Sequence, residues 1–248
     1  MKSRTARWGP APQGNSSFAN IDFEIINRSA NPVVVNGTTY AVGDAVMTIT
    51  TDENGHASTG NDALPYGTYE VRESATNESM LLTWTGEIVQ VRQNGHSVAI
   101  TAVNDVERGG LSVEKQDTIT GSTPQGDANF QGITFEIINN SRNPVMVEGQ
   151  KYQPGEVVKT LVTDSEGKAS TADDLLPYGE YILHESATNE SMLLTAPDQT
   201  VLVEDDGIIY EFVMADEVAR GGVLVEKRDL ESGLLTPLGW GQFGRHSF

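Results

Sequence analysis

The sequence contains no cysteine, which excludes disulfides and thiolate chemistry and is compatible with either an oxidising exterior or a reducing interior. Basic residues are scarce: 16 Lys and Arg face 35 Asp and Glu, for a formal net charge of −19. That balance argues for solubility and against nucleic acid or an anionic membrane as partner. No apolar run at either end is long enough to span a bilayer, so no membrane insertion by this segment is expected. The opening MKSRTARWGP is basic but lacks the apolar core of a secretion signal. If the protein is exported, its targeting and anchoring segments are expected to lie outside this sequence. The four histidines (His56, His96, His184, His246) are scattered without ligand spacing, and no metal or cofactor is expected. Long helical periodicity is also lacking.

What the sequence does have is a repeat. ESATNESMLLT occurs at Glu73–Thr83 and again, identically, at Glu185–Thr195. FEIINRSANPVVVNGTTY from Phe23 is matched by FEIINNSRNPVMVEGQKY from Phe135, and ALPYGTYEVRESA from Ala63 by LLPYGEYILHESA from Leu175. The offset is constant, since 135 − 23 and 185 − 73 both give 112. A gapless repeat of that length is a domain duplication, because solenoid repeats run about 20 to 50 residues. A third copy begins: RGGLSVEKQD at Arg108–Asp117 returns as RGGVLVEKRD at Arg220–Asp229. The expected organisation is a first domain at 1–107, a second at 108–219 and the start of a third repeat at 220–248, as in a segment of a longer array. The first domain is expected to begin inside its unit, near Lys2.

Within a unit, FEII, PVVV, AVMTITT, YEVRE, EIVQVR and SVAITAV are short strand signals separated by Asn-Gly, Asp-Glu-Asn-Gly and Pro-Tyr-Gly turns. They predict an all-β fold, a sandwich of roughly seven antiparallel strands per unit, with neighbouring domains stacked end to end across a short link.

Side-chain parity then singles out charged residues on the inward face. Tyr69, Val71 and Glu73 share one face of their strand, as do Tyr181, Leu183 and Glu185 in the second copy. Leu111, Val113 and Lys115 share another. The closing strands place Asn104 after Val98, Ile100 and Ala102, and Asp216 after Tyr210, Phe212 and Met214. Burying a Lys or Glu costs several kcal/mol unless it is paired or neutralised. A neutral amine is a nucleophile, and a protonated carboxylic acid can polarise a neighbouring carbonyl and relay a proton. Amide formation between the Lys and the Asn or Asp would replace two costly buried groups with a neutral one. The alternative is a snorkelling lysine, a turn glutamate and a polar linker residue. Against it, residues 1–104 contain a single lysine, Lys2, whereas a solvated face could have used lysine anywhere.

GGLSVEKQD, YGEYILHESA and FVMADEVARGG together resemble the SpaA-like, or Cna B-type, prealbumin-like domains of Gram-positive surface proteins and pilins. The resemblance implies tandem Ig-like, Greek-key sandwiches. It also implies autocatalytic isopeptide bonds between a first-strand Lys and a last-strand Asn or Asp, assisted by a central Glu. The implied sets are Lys115, Glu185 and Asp216 in the second unit and Lys2, Glu73 and Asn104 in the first, with Lys227 the unpaired lysine of the third. One extra residue separates Lys2 from Pro12 relative to the Lys115 to Pro124 spacing. The implied function is a structural stalk repeat of an extracellular, cell-wall-anchored protein. It would turn over no substrate, and its partners would be neighbouring repeats and, through parts not present, a host surface ligand. Two alternatives within this resemblance are an adhesin module and a sortase-linked pilin subunit. A third is hydrolysis by the inward Glu and Asp, which requires both carboxylates free in an open cleft. The acidic stretches Asp52–Gly55, Asp164–Gly167 and Glu204–Gly207 are expected to be turns, not calcium loops.

Overall fold

Alternation of apolar and polar residues, cut every few positions by Gly, Asn and Pro, produces short pleated strands with one face available for burial. The computed structural model describes residues 11–231. In the first repeat these residues form β1 (Asp22–Asn27), β2 (Val33–Val35), β3 (Thr38–Tyr40), β4 (Ala45–Thr50), β5 (Gly67–Ala75) and β6 (Glu87–Val91). Strands β4, β1, β5 and β6 make an antiparallel sheet in that order, and β2 pairs with β3. The β2–β3 turn places Asn36 and Gly37 at φ of 50° and 79°, the left-handed pair that a two-residue hairpin demands.

The second repeat contains β7 (Arg108–Asp117), β8 (Thr134–Asn139), β9 (Val145–Val147), β10 (Gln150–Tyr152), β11 (Val157–Val162), β12 (Lys168–Ser170), β13 (Leu176–Pro177), β14 (Gly179–Ala187), β15 (Met192–Leu193), β16 (Gln199–Val203) and β17 (Ile209–Val218). Its first sheet, β11-β8-β14-β16, reproduces that of the first repeat at the 112-residue offset. A second sheet, β12-β7-β17-β15, faces it, with β13 also on β7. Leu111, Val113 and Met214 from this second sheet interleave with Phe135, Ile137 and Leu183 from the first, all at most 2% exposed. Full burial of each such side chain contributes about 1.5–3 kcal/mol. Among the described residues every ladder is antiparallel except one: β7 and β17, the opening and closing strands of the second repeat, run parallel from Gly110–Ile209 to Asp117–Asp216.

The first repeat departs from the expected pattern. Residues 97–103, predicted as its closing strand, form no strand, and neither do 56–58, the counterparts of β12. In the second repeat both positions are held by pairing to β7. The corresponding opening residues of the first repeat fall among 1–10, outside the described residues. Its core is correspondingly smaller, centred on Ile25, Val35, Tyr69 and Val71.

The two sandwiches meet end to end. The Asn15 N–H donates to the Tyr178 carbonyl (3.2 Å) and Tyr178 N–H to the Glu107 carbonyl (2.8 Å), while Tyr178 Oη donates to Glu78 Oε1 (3.3 Å). Residues 1–218 form one compact unit and 219–248 another. In the described part of the latter, 219–231, no strand is formed, and Val223, Leu224 and Val225 are 91%, 89% and 79% exposed.

Each repeat pins its β-arch with a buried asparagine. Asn139 Nδ2 donates to the carbonyls of Asn143 (3.3 Å) and Tyr152 (3.2 Å), and its Oδ1 accepts from Ser141 N (3.0 Å). Asn139 itself is fully buried. Asn139→Ala strands three backbone groups, and we expect a loss of about 2–3 kcal/mol from the second repeat, read as a lowered urea midpoint with an unchanged slope.

Candidate functional site

Parallel pairing of β7 with β17 puts Lys115 opposite Met214, so Asp216 lies one pleat beyond Lys115 on the same face. Across the core, β14 presents Glu185 beside Phe135 of β8. The three side chains meet. Lys115 Nζ donates to Glu185 Oε2 at 2.6 Å and lies 2.9 Å from Asp216 Oδ2, and all three side chains are fully shielded from solvent. The contact with Oδ2 lacks hydrogen-bond geometry, which leaves that oxygen and Glu185 Oε1 without a hydrogen-bond partner. The Phe135 ring centroid is 5.9 Å from Nζ, closing the site with an apolar wall.

Asp216 Oδ1 is held differently. It accepts from the N–H groups of Thr195 (2.9 Å) and Ala196 (2.7 Å) and from Thr195 Oγ1 (3.1 Å). Two converging backbone donors on one carboxyl oxygen polarise that C–O bond as an oxyanion hole does. Sequence reasoning did not find Thr195 or Ala196. The available signal was the end of the repeated string, which runs from Glu185 to Thr195 and therefore carries the acid at one end and a donor at the other.

Electrostatics separate the two carboxyls. Burial pushes Glu185 up to about 7, with Asp216 adding to the rise and Lys115 opposing it. Burial also pushes Asp216 up, but the adjacent Lys115 ammonium and the Thr195 N–H donor outweigh it and hold the carboxyl below its ordinary value. The site therefore holds a carboxyl that can both take up and give back a proton near neutral pH, next to one that is ionised. With both carboxylates sealed, an external substrate cannot reach them, and the open cleft required for hydrolysis is not formed.

The first repeat brings together Glu73 and Asn104. Asn104 Nδ2 donates to Glu73 Oε1 at 2.6 Å, and Asn104 Oδ1 accepts from Trp84 N at 3.0 Å. Glu73 is buried, with Oε2 unpartnered, while Asn104 is half-buried. Lys2 lies outside the described residues. Lys227 is exposed. Among the described residues, no group of three His, Cys, Asp or Glu side chains could hold a metal ion. Asp164 Oδ1 instead accepts from Glu166 N and Lys168 N, the turn chemistry expected of that loop.

The sequence matches the SpaA prealbumin-like fold domain over residues 12–106 and 110–218. In fold the chain is similar to the Bacillus anthracis TIE protein, at 20% identity over 83% of this chain and 32% of that one, with a TM-score of 0.51. It thus spans about a third of that chain. Weaker likenesses include GBS52, the minor pilin of Streptococcus agalactiae (17% identity, 88% of this chain, 90% of that one, TM-score 0.35), and the shaft pilin spaA of Lactobacillus rhamnosus GG (12%, 91%, 96%, 0.34). No curated protein matches the chain.

Burial raises the Glu73 carboxyl above its ordinary value, against the lowering effect of the Asn104 hydrogen bond. Between the ordinary and the raised value, the folded state retains a proton that the unfolded chain has lost. This contribution to stability is therefore full at low pH and is lost as pH rises through the folded value. Urea midpoints of the first repeat should fall across that window, and Glu73→Gln should abolish this component of the slope.

Proposed function

Because the chain belongs to the family of SpaA-type prealbumin-like domains, we propose that it is a structural stalk module of a bacterial surface protein whose second repeat locks itself with a Lys115–Asp216 amide. The observation that carries this reading is the sealed cage in which an amine, a protonatable carboxyl and a polarised acceptor carboxyl meet within 3 Å. The organisation that goes with it is two tandem repeats, 1–107 and 108–219, followed by the start of a third at 220–248. The setting is the cell surface of a Gram-positive bacterium, with neighbouring repeats of a longer chain as partners.

The chemistry needs only groups in the cage. Glu185 takes a proton from Lys115 Nζ, and the freed amine attacks Asp216 Cγ. Charge that develops on Oδ1 is received by the Thr195 and Ala196 N–H groups. Glu185 passes its proton to Oδ2, and a second Nζ proton follows by the same route. The Cγ–Oδ2 bond breaks, water leaves, and a neutral amide remains while Glu185 returns to its starting state. This is a single self-reaction without turnover.

Its effect is to remove two buried charges, each of which costs several kcal/mol to desolvate, and to close a loop of about 100 residues. In the chain-entropy model that closure is worth about 4.7 kcal/mol. Under denaturing conditions the intact mass should be about 18 Da below the sequence mass, the water lost in one condensation. Glu185→Ala should restore the full mass and lower the unfolding midpoint of the second repeat, since it also leaves a buried lysine with one carboxylate fewer. A wild-type mass equal to the sequence mass would overturn the reading.

A further inference from the structure

Three turns of the first repeat carry Asn followed by Gly: Asn36–Gly37, Asn54–Gly55 and Asn94–Gly95. At the 112-residue offset the second repeat reads Glu148–Gly149, Glu166–Gly167 and Asp206–Gly207. At each of these turns an amide in one copy stands where a carboxyl stands in the other. A glycine after asparagine has no Cβ to hinder approach of its backbone nitrogen to the asparagine Cγ. Such a pair is open to intramolecular attack and loss of ammonia wherever the fold leaves that nitrogen free.

The fold treats the three turns differently. Asn54 N–H donates to Asp52 Oδ1 (2.9 Å) and Gly55 N–H to the Asp52 carbonyl (2.9 Å), while a Cβ on Gly55 would lie 2.9 Å from Phe18 Cβ. That nitrogen is occupied and its turn is packed. The counterpart of Gly95 is Gly207, whose N–H donates to the Arg108 carbonyl (2.7 Å), so no site is assigned at Asn94. Asn36 and Gly37 make up the whole turn between β2 and β3, and both are exposed and at positive φ. Among the described residues neither the Asn36 side chain nor the Gly37 N–H has a hydrogen-bond partner. Nothing lies within 4 Å of where a Gly37 Cβ would stand. The counterpart tip is equally open, with Glu148 and Gly149 exposed and no atom within 4 Å of a Gly149 Cβ. The exposure is thus a property of the hairpin.

We propose that Asn36 is a site of spontaneous deamidation, with water as the co-reactant. Gly37 N gives its proton to a solvent base and attacks Asn36 Cγ, the Cγ–Nδ2 bond breaks, and ammonia leaves. Water then opens the five-membered imide at either carbonyl. One opening gives aspartate with the main chain unchanged. The other gives isoaspartate, in which the main chain runs through the side-chain carbons and is one atom longer.

The two products differ in what they do to the hairpin. A carboxyl is already accommodated at this position, since Glu148 has the same φ of 50° and takes Lys159 Nζ on both oxygens at 2.9 Å. Met47 stands where Lys159 does, so aspartate at position 36 adds a charge without that partner. Isoaspartate instead lengthens a two-residue turn whose length fixes the register of Val35 against Thr38. Val35 is 2% exposed, so the longer turn is felt in the core of the first repeat. This inference does not depend on the amide chemistry of the second repeat.

The test holds the full chain in mildly alkaline buffer at physiological temperature, digests it at intervals, and weighs and fragments the peptides. Each event raises the mass by about 1 Da, ammonia out and water in. The gain at Asn36 should grow at least about tenfold faster than at Asn54, whose turn must first give up two hydrogen bonds. The Asn36 peptide should resolve into aspartate and isoaspartate forms, the first co-eluting with the same peptide from Asn36→Asp. In denaturing urea Asn36 and Asn54 should react alike, and Asn36→Gln should remove the gain at its position. A gain at Asn54 as fast as that at Asn36 in the folded chain overturns the proposal. So does an Asn36 that stays unchanged in the folded chain, whatever it does in urea.

Discussion

Three ionisable side chains sealed behind one phenylalanine set the terms for the second sandwich. A lone buried lysine would cost far more than any single apolar contact contributes, so Lys115 is tolerable only with Glu185 and Asp216 in place. Those two carboxyls come from opposite sheets. The cage therefore fixes the spacing of the sheets, the register of β7 against β17 and the path of the loop from Glu185 to Ala196. The repeated string ESATNESMLLT follows from that demand. It begins with the acid, turns on Asn189, whose side chain donates to the carbonyls of Asn129 and Gln131, pairs Met192 with Val218, and ends by presenting the Thr195 N–H to Asp216.

The first repeat shows the same parts when the opening strand is not among the described elements. Asn77 repeats the capping role, donating to the carbonyls of Ser17 and Ala19, and Met80 still bridges Val106. The sheet built on β1 and β5 is complete. Among the described residues 56–60 and 97–105 take no strand conformation, whereas their second-repeat counterparts lie on either side of β7. A sequence such as SVAITAV is strand-like in composition, but strand structure is pairwise.

Much of this was legible in the sequence because β-structure has a strict period of two. Parity alone put Glu73, Glu185, Lys115 and Asp216 on inward faces, and burial agrees at all four. The 112-residue offset carried each assignment from one copy to the next. Parity could not reveal the Thr195 and Ala196 donors, since backbone N–H groups have no letter in the sequence, nor that β7 and β17 lie side by side and parallel. It also treated SVAITAV and its second-copy counterpart alike, since a single strand's pattern says nothing about whether its neighbour is present.

The parallel pairing of β7 and β17 has a consequence for length. A chain that enters at one end of a sandwich and leaves at the other advances by one strand per repeat, about 33 Å for 112 residues. The same residues fully extended would cover roughly ten times that distance. Each repeat is thus a compact unit of reach, and distance along such an array is counted in whole repeats.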